Sequence, residues 1–202
     1  MVDNDEKFGY KVETKASDEQ VAHRESLYKL FEERPMPVDQ LMIVLGLYMR
    51  SSALAKILFL DEMYRKIANV PGVIVEFGCW WGQNLVVLEN LRAIYEPFNQ
   101  SRRIIGFDTF YGYPERTDLD GDSDIIEPGS YNIGEDHLSY LRELIDYHEK
   151  NNILGTVKKH SVINGDVAET VPKFFEENPE TVVALAYFDM AIYAPTKIAL
   201  ET

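Results

Sequence analysis

The sequence predicts a doubly wound α/β fold built on a mostly parallel sheet. Beyond residue 72, short β-branched or aromatic runs alternate with segments of helical periodicity, and alternating elements of this kind pair in parallel through crossover helices. The first of these runs also empties into a glycine-rich turn, as a buried parallel strand feeding a helix should. The third observation is size: 202 residues suffice for one ordinary domain with a sizeable core.

Residues 1 to about 20 are polar and charged and are expected to form a loosely held arm. Val21, Leu27, Leu30 and Phe31 are spaced for a short helix, stopped by Pro35 and Pro37. From Val38 to about Ala68 apolar residues recur at helical spacing, as two helices or one bent one, and Asn69-Val70-Pro71-Gly72 makes a turn. The period then changes. Val73-Ile74-Val75-Glu76-Phe77 reads as the first strand, and a helix follows from Asn84 to about Tyr95. Arg103 to Asp108 reads as the second strand, with an acid at its C-terminal end. Residues 111–136 are rich in acids, glycines and prolines and read as a long loop, a candidate acceptor-binding lid together with the N-terminal helices. A helix from His137 to Lys150, a strand from Ser161 to Gly165, a helix from Val171 to Glu177 and a strand from Val182 to Asp189 follow. Pro195 to Thr202 starts another helix, and the sequence stops there without a cap signal. The expected organisation is therefore an arm with helices over residues 1–70 and an incomplete, C-terminally truncated binding domain over 71–202. A fourth strand left open at the edge of the sheet is available to pair with a second copy.

Composition excludes several classes. A hydrophobic fraction of 46% with 27% charged residues is that of a globular chain rather than a disordered one. A net charge of −14 argues against nucleic acid and anionic membranes as partners. Cys79 is the single cysteine, so no intrachain disulfide can form. The N-terminus carries no signal-peptide pattern, and Arg50 and Lys56 interrupt the most apolar stretch. A cytoplasmic protein is the expectation.

Chemistry is signalled at four strand ends. Glu76-Phe77-Gly78-Cys79-Trp80-Trp81-Gly82 is a glycine turn between strand and helix, where bare backbone and free N–H groups can meet a ligand; it also reads as a tight turn that binds nothing. Asp108 stands where a carboxylate can accept the hydroxyl hydrogens of a ribose, or be a solvated strand-end acid. The glycines are spaced G-x-x-x-G and Asp108 lies about 30 residues beyond Gly78, which favours a methyltransferase-type nucleoside site over the G-x-G-x-x-G of a nicotinamide site. Asp166, after Gly165, suits either an adenine contact or a helix N-cap. Asp189, followed by Tyr193 and Pro195, could take a hydroxyl proton or bind a hard divalent cation. Asp118, Asp120, Asp122 and Asp124 alternate as calcium ligands do, but Gly121 is out of register for such a loop, and a solvated acidic loop is the better reading. Trp80 and Trp81 either shape a pocket or pack on neighbouring helices, and the four histidines show no metal-ligand spacing.

Taken together, Gly72 to Gly78 with Gly82, Phe107-Asp108-Thr109-Phe110-Tyr111-Gly112-Tyr113-Pro114, Gly165 to Pro172, and Phe188-Asp189 with Tyr193, Pro195 and Thr196 resemble the macrocin O-methyltransferase family. The resemblance spans roughly residues 45–202. It implies a Rossmann-like class I methyltransferase that moves a methyl group from S-adenosylmethionine to a sugar or glycoside hydroxyl, commonly with Mg²⁺. Carried over, Glu76, Gly78, Cys79, Trp80 and Gly82 would line the methionine and ribose side. Asp108, Thr109 and Phe110 would line the ribose side too, and Asp166 would lie near the adenine. Asp189 would be the metal ligand and assist deprotonation. Where the family reads Asp-x-Asp-Leu-Tyr, this sequence reads Asp189-Met190-Ala191-Ile192-Tyr193, so the second acid is replaced by Ala191. That departure keeps open a second reading, a non-catalytic module that binds the cofactor without a metal.

Overall fold

The computed structural model describes residues 16–202 apart from 115, 124, 125 and the side chain of 135. Asp124 of the acidic loop and most of the expected N-terminal arm therefore lie outside the described residues. Two compact units are present, Glu13–Phe59 and a larger one that includes Leu60–Thr202.

In the smaller unit, helix α1 (Asp18–Glu32) starts three residues before the apolar spacing suggests, because Ser17 and Gln20 form a reciprocal capping box. Pro35 and Pro37 stop it, and α2 (Val38–Ile43) and a 3₁₀ turn (Leu45–Tyr48) follow. Phe31 meets Tyr48 edge-on at 5.0 Å. Helix α3 (Ser51–Ile67) begins in this unit, and its last turns, with Leu60, Tyr64 and Ile67 buried, belong to the core of the larger one.

The larger unit is built on β1 (Val73–Phe77), β2 (Ile104–Asp108), β3 (His160–Asn164) and β4 (Val183–Phe188), all parallel, in the order β3-β2-β1-β4. Helices α4 (Gln83–Tyr95), α5 (Glu135–Lys150), α6 (Val167–Glu177) and α7 (Tyr193–Glu201) connect and follow them. Alternation along the strands sorts the core into two layers. Ile74 and Ile104 pack with Leu85, Leu88, Leu141 and Ile145 on one face. Val73, Val75, Phe77, Ile105 and Phe107 pack with Val167 and Val171 on the other. The sheet is thus doubly wound, as expected. The chain moves outward from β1 to β3, then returns to lay β4 on the other side of β1, so the order reverses between β1 and β4. Ligands of such sheets bind at that reversal, beyond the C-terminal strand ends.

Two buried polar networks hold the N-terminal ends of the strands. Arg102, 1% exposed, donates to the carbonyls of Ile67, Val70 and Gly72 at 2.9, 2.8 and 2.6 Å and pairs with Glu96 at 2.8 Å, which also accepts from Tyr64 Oη. The guanidinium so satisfies the carbonyls at the end of α3 and in the turn into β1. In the second network Arg92 makes a two-toothed pair with Glu149, Lys159 Nζ reaches the same carboxylate at 2.6 Å, and His160 Nε2 contacts Asp146 at 2.8 Å. His160 Nδ1 lies 3.0 Å from Glu89 Oε1, an ionic contact rather than an aligned hydrogen bond.

This second network makes stability depend on pH from both sides. Burial alone would lower the His160 pKa, but Glu89, Asp146 and Glu149 outweigh it and raise it. A raised histidine stabilises fully below its ordinary value of 6.5 and loses that contribution as pH climbs through the folded value. Burial would raise Glu149, but Lys159 and Arg92 hold it below 4.5, so its contribution fades as pH falls through the lowered value. Thermal denaturation from pH 4 to 9 should therefore peak between about 4.5 and 6.5. His160→Gln should flatten the alkaline side of that curve; an unchanged alkaline fall would contradict the assignment.

Candidate functional site

The C-terminal ends of β1, β2 and β4 meet at one place, and Asp108 organises it. Its Oδ2 accepts the backbone N–H groups of Cys79 at 2.6 Å and Trp80 at 2.8 Å, and its Oδ1 that of Phe110 at 2.6 Å. Burial pushes the Asp108 carboxyl up, opposed by these three amide donors. A carboxylate offers about four lone-pair sites, so this one has a single site left, on Oδ1. Asp108 can thus accept one ribose hydroxyl, not two. The same bonds hold Trp80 (φ 48°) and Phe110 (φ 58°) in left-handed backbone, which costs a non-glycine residue about 1 kcal/mol or more.

The glycines permit close approach rather than flexibility. A Cβ on Gly78 (φ 88°) would sit 2.7 Å from the Asp189 carbonyl oxygen, so the β1 turn and the end of β4 touch only because that position is bare. Gly82 (φ 83°) starts α4, and a Cβ there would collide with Leu141 of α5. Glu76 is wholly buried and accepts from Asn84 Nδ2 at 2.6 Å, while Asn84 Oδ1 is buried without a hydrogen-bond partner. Cys79 is also buried, with its thiol pKa pushed up by that burial.

Other sequence candidates have structural duties. The Thr109 hydroxyl closes a turn onto the Gly112 carbonyl at 2.7 Å, and the Phe110 ring lies in the core, 1% exposed, so both could meet a ligand only through backbone. Asp166 caps α6, accepting from Ala168 N at 2.8 Å; the N-cap alternative is the one observed. Asp189 is exposed at the end of β4.

The described residues of the segment after β2 are bonded to one another and to the turn after β4. Tyr113 N donates to Ser130 O and Gly129 N to Tyr113 O, Tyr111 bridges to Asn132, and Ile126 and Ser130 are buried. Two bonds tie it to the turn after β4, from Ala191 N to Tyr113 Oη at 3.2 Å and from Tyr193 N to Asp120 Oδ1. Beside them lies a cleft of about 590 Å³, bordered by Leu119, Asp120, Met190, Tyr193, Thr196 and Lys197. Trp80 meets Tyr131 edge-on and Tyr131 meets Tyr113 edge-on, an aromatic wall from the Asp108 turn to this cleft. Trp81 stands edge-on to His137 at 4.8 Å. Tyr131, His137 and Asn84 carry no motif, so only the fold assigns them to the site.

The one open lone pair of Asp108 and the unsatisfied Asn84 Oδ1 fit a nucleoside cofactor with an amino-acid tail. Among the described residues the single cluster of three potential cation ligands is Glu89, Glu149 and His160. It lies at the opposite end of β3 and is already paired with Arg92 and Lys159.

Solved structures decide the family. The chain is similar to CalS11, a calicheamicin methyltransferase, with 40% identity and a TM-score of 0.89 over 93% of this chain and 74% of that one. The apo structure of CalS11, described as a TDP-rhamnose 3'-O-methyltransferase of calicheamicin biosynthesis, matches at 36% identity with a TM-score of 0.78, over 96% of this chain and 74% of that one. The chain belongs to the class I sugar O-methyltransferases. The O-methyltransferase NovP shares the Rossmann-like fold at 17% identity and a TM-score of 0.54, over 72% of this chain and 57% of that one. No protein-family model matches this sugar O-methyltransferase, and no curated protein does. Among its described residues no helix is long and apolar enough to cross a membrane.

Proposed function

We propose that this methyltransferase binds S-adenosylmethionine across the ends of β1 and β2 and transfers its methyl group to a hydroxyl of a nucleotide-linked sugar seated beside the end of β4. The observation that carries this reading is the geometry around Gly78. Its missing side chain lets the Asp108-organised turn touch the Asp189 turn, so a cofactor held at one presents its reactive end to the other. The acceptor class follows the relative described as acting on TDP-rhamnose.

Bound S-adenosylmethionine supplies a methyl carbon activated by its sulfonium. The residues supply alignment, water exclusion and a proton acceptor. Asp108 Oδ1 holds a ribose hydroxyl and fixes the turn through three amides, while Asn84 Oδ1 and Glu76 border the inner side of that turn. Trp80 and Tyr131 wall the path to the acceptor. The Asp189 carboxylate would take the proton that the acceptor hydroxyl loses on methylation. CalS11, which both structures above one-third identity represent, is a methyltransferase, and this favours catalysis over the cofactor-binding module without activity.

Calorimetric titration with S-adenosylhomocysteine tests the cofactor, with NAD⁺ as competitor. A dissociation constant on the order of micromolar, insensitive to NAD⁺, is expected. Absence of S-adenosylhomocysteine binding, or its displacement by NAD⁺, would overturn the reading.

A further inference from the structure

We infer that Tyr113 binds the acceptor, donating its phenolic O–H to an oxygen of the sugar next to the hydroxyl that is methylated. The inference rests on the methyl-transfer reading of the Asp108 and Asp189 turns and adds a specificity-determining contact to it. Three observations place the phenol. First, Tyr113 is rigid: its N–H and carbonyl are both bonded within its own segment, to Ser130 and Gly129, and its ring stands edge-on to Tyr131 at 5.5 Å. Tyr131 meets Trp80, whose amide is bonded to Asp108, so the phenol is indexed to the cofactor turn. Second, Tyr113 Oη accepts the N–H of Ala191, two residues past Asp189. That contact fixes the oxygen at the end of β4, on the border of the cleft that Ala191 lines.

Third, the bond to Ala191 uses one of the phenol's two lone pairs and leaves its proton to give. That contact is exposed, so the proton is open to water and equally open to a sugar oxygen that displaces the water. Burial pushes the phenol's pKa up, with Asp189 and Asp108 adding to it, so the group is a donor at any working pH. Asp189 is an acceptor at the end of β4, and Tyr113 brings a donor to the turn that follows it. A sugar carries adjacent oxygens that can each give and take a hydrogen bond. One oxygen that surrenders its proton to Asp189 and a neighbour that accepts from Tyr113 fit this pair in one orientation, which selects the hydroxyl methylated.

Tyr113→Phe removes the O–H and keeps the ring that packs on Tyr131. The variant and the unaltered protein are titrated with S-adenosylhomocysteine, then, saturated with it, with TDP-rhamnose as the probe; kcat and KM for the probe are measured with S-adenosylmethionine. We expect S-adenosylhomocysteine affinity to stay within about twofold, while the dissociation constant and KM for TDP-rhamnose rise about fivefold to tenfold, the loss of one neutral hydrogen bond. Unchanged TDP-rhamnose binding overturns the role of Tyr113. Equal weakening of both ligands overturns it too, because the phenol would then serve the turn as a whole. If the unaltered protein binds S-adenosylhomocysteine but not TDP-rhamnose, the acceptor class and its Tyr113 contact fall while the cofactor reading stands. If it binds neither, the methyl-transfer reading itself falls.

Discussion

Asp108→Ala is expected to weaken S-adenosylhomocysteine binding by about a hundredfold or more, equivalent to roughly 2.7 kcal/mol. The substitution removes the one lone pair left for a ribose hydroxyl and releases the N–H groups of Cys79, Trp80 and Phe110 together. Hydrogen bonds to a charged acceptor contribute about 1.5–3 kcal/mol each. Trp80 and Phe110 are also held in left-handed backbone, a strain that is no longer opposed by the carboxylate once it is gone. The turn should lose its shape as well as its ligand contact, and unfolding free energy should fall by about 2–4 kcal/mol. Asp108→Asn separates the two effects. Its amide keeps one oxygen with two lone pairs but turns an NH₂ toward a backbone N–H, so at least one of the three donors is orphaned. Calorimetry and urea unfolding on both variants check this; binding within threefold of the unaltered protein would remove Asp108 from the site.

The largest loss of stability is expected from Arg102→Leu, about 3–5 kcal/mol by urea unfolding. Leucine fills much of the volume and pleases the apolar neighbours. It leaves Glu96 as a buried carboxylate with only Tyr64 and Asn99 as partners, and strands the carbonyls of Ile67, Val70 and Gly72. Truncating one side of a buried pair costs more than the pair is worth, because the remaining charge keeps its desolvation penalty. Since Arg102 lies at the N-terminal ends of the strands, S-adenosylhomocysteine affinity of the folded fraction should be unchanged. A loss below 1 kcal/mol would show that water reaches those carbonyls.

Each strand was legible in the sequence to within a residue or two at its ends, because β-branched runs bounded by glycine and proline signals leave few alternatives. The doubly wound class followed from their alternation with helices. Helix starts were less legible. The structure begins α6 at Val167, not Val171, since the Asp166 side chain caps it, and Asp166 was equally readable as a ligand contact. Of the candidate site, the Gly78 turn, Asp108 and Asp189 could be named in advance, because each stands where a strand must end and a polar or bare residue there is conspicuous.

The sequence by itself determined which residues sit at strand ends, since period and breaker residues act locally. Only the tertiary structure decided what those residues do. Asp108 turned out to spend three lone-pair positions on backbone amides, Phe110 to belong to the core, and Gly78 to be bare for the sake of Asp189. Tyr113, 76 residues before Asp189 in sequence, was brought against the same turn. Hydrogen-bond capacity is divided among partners that the chain brings together from far apart, and no local pattern records how that division falls out.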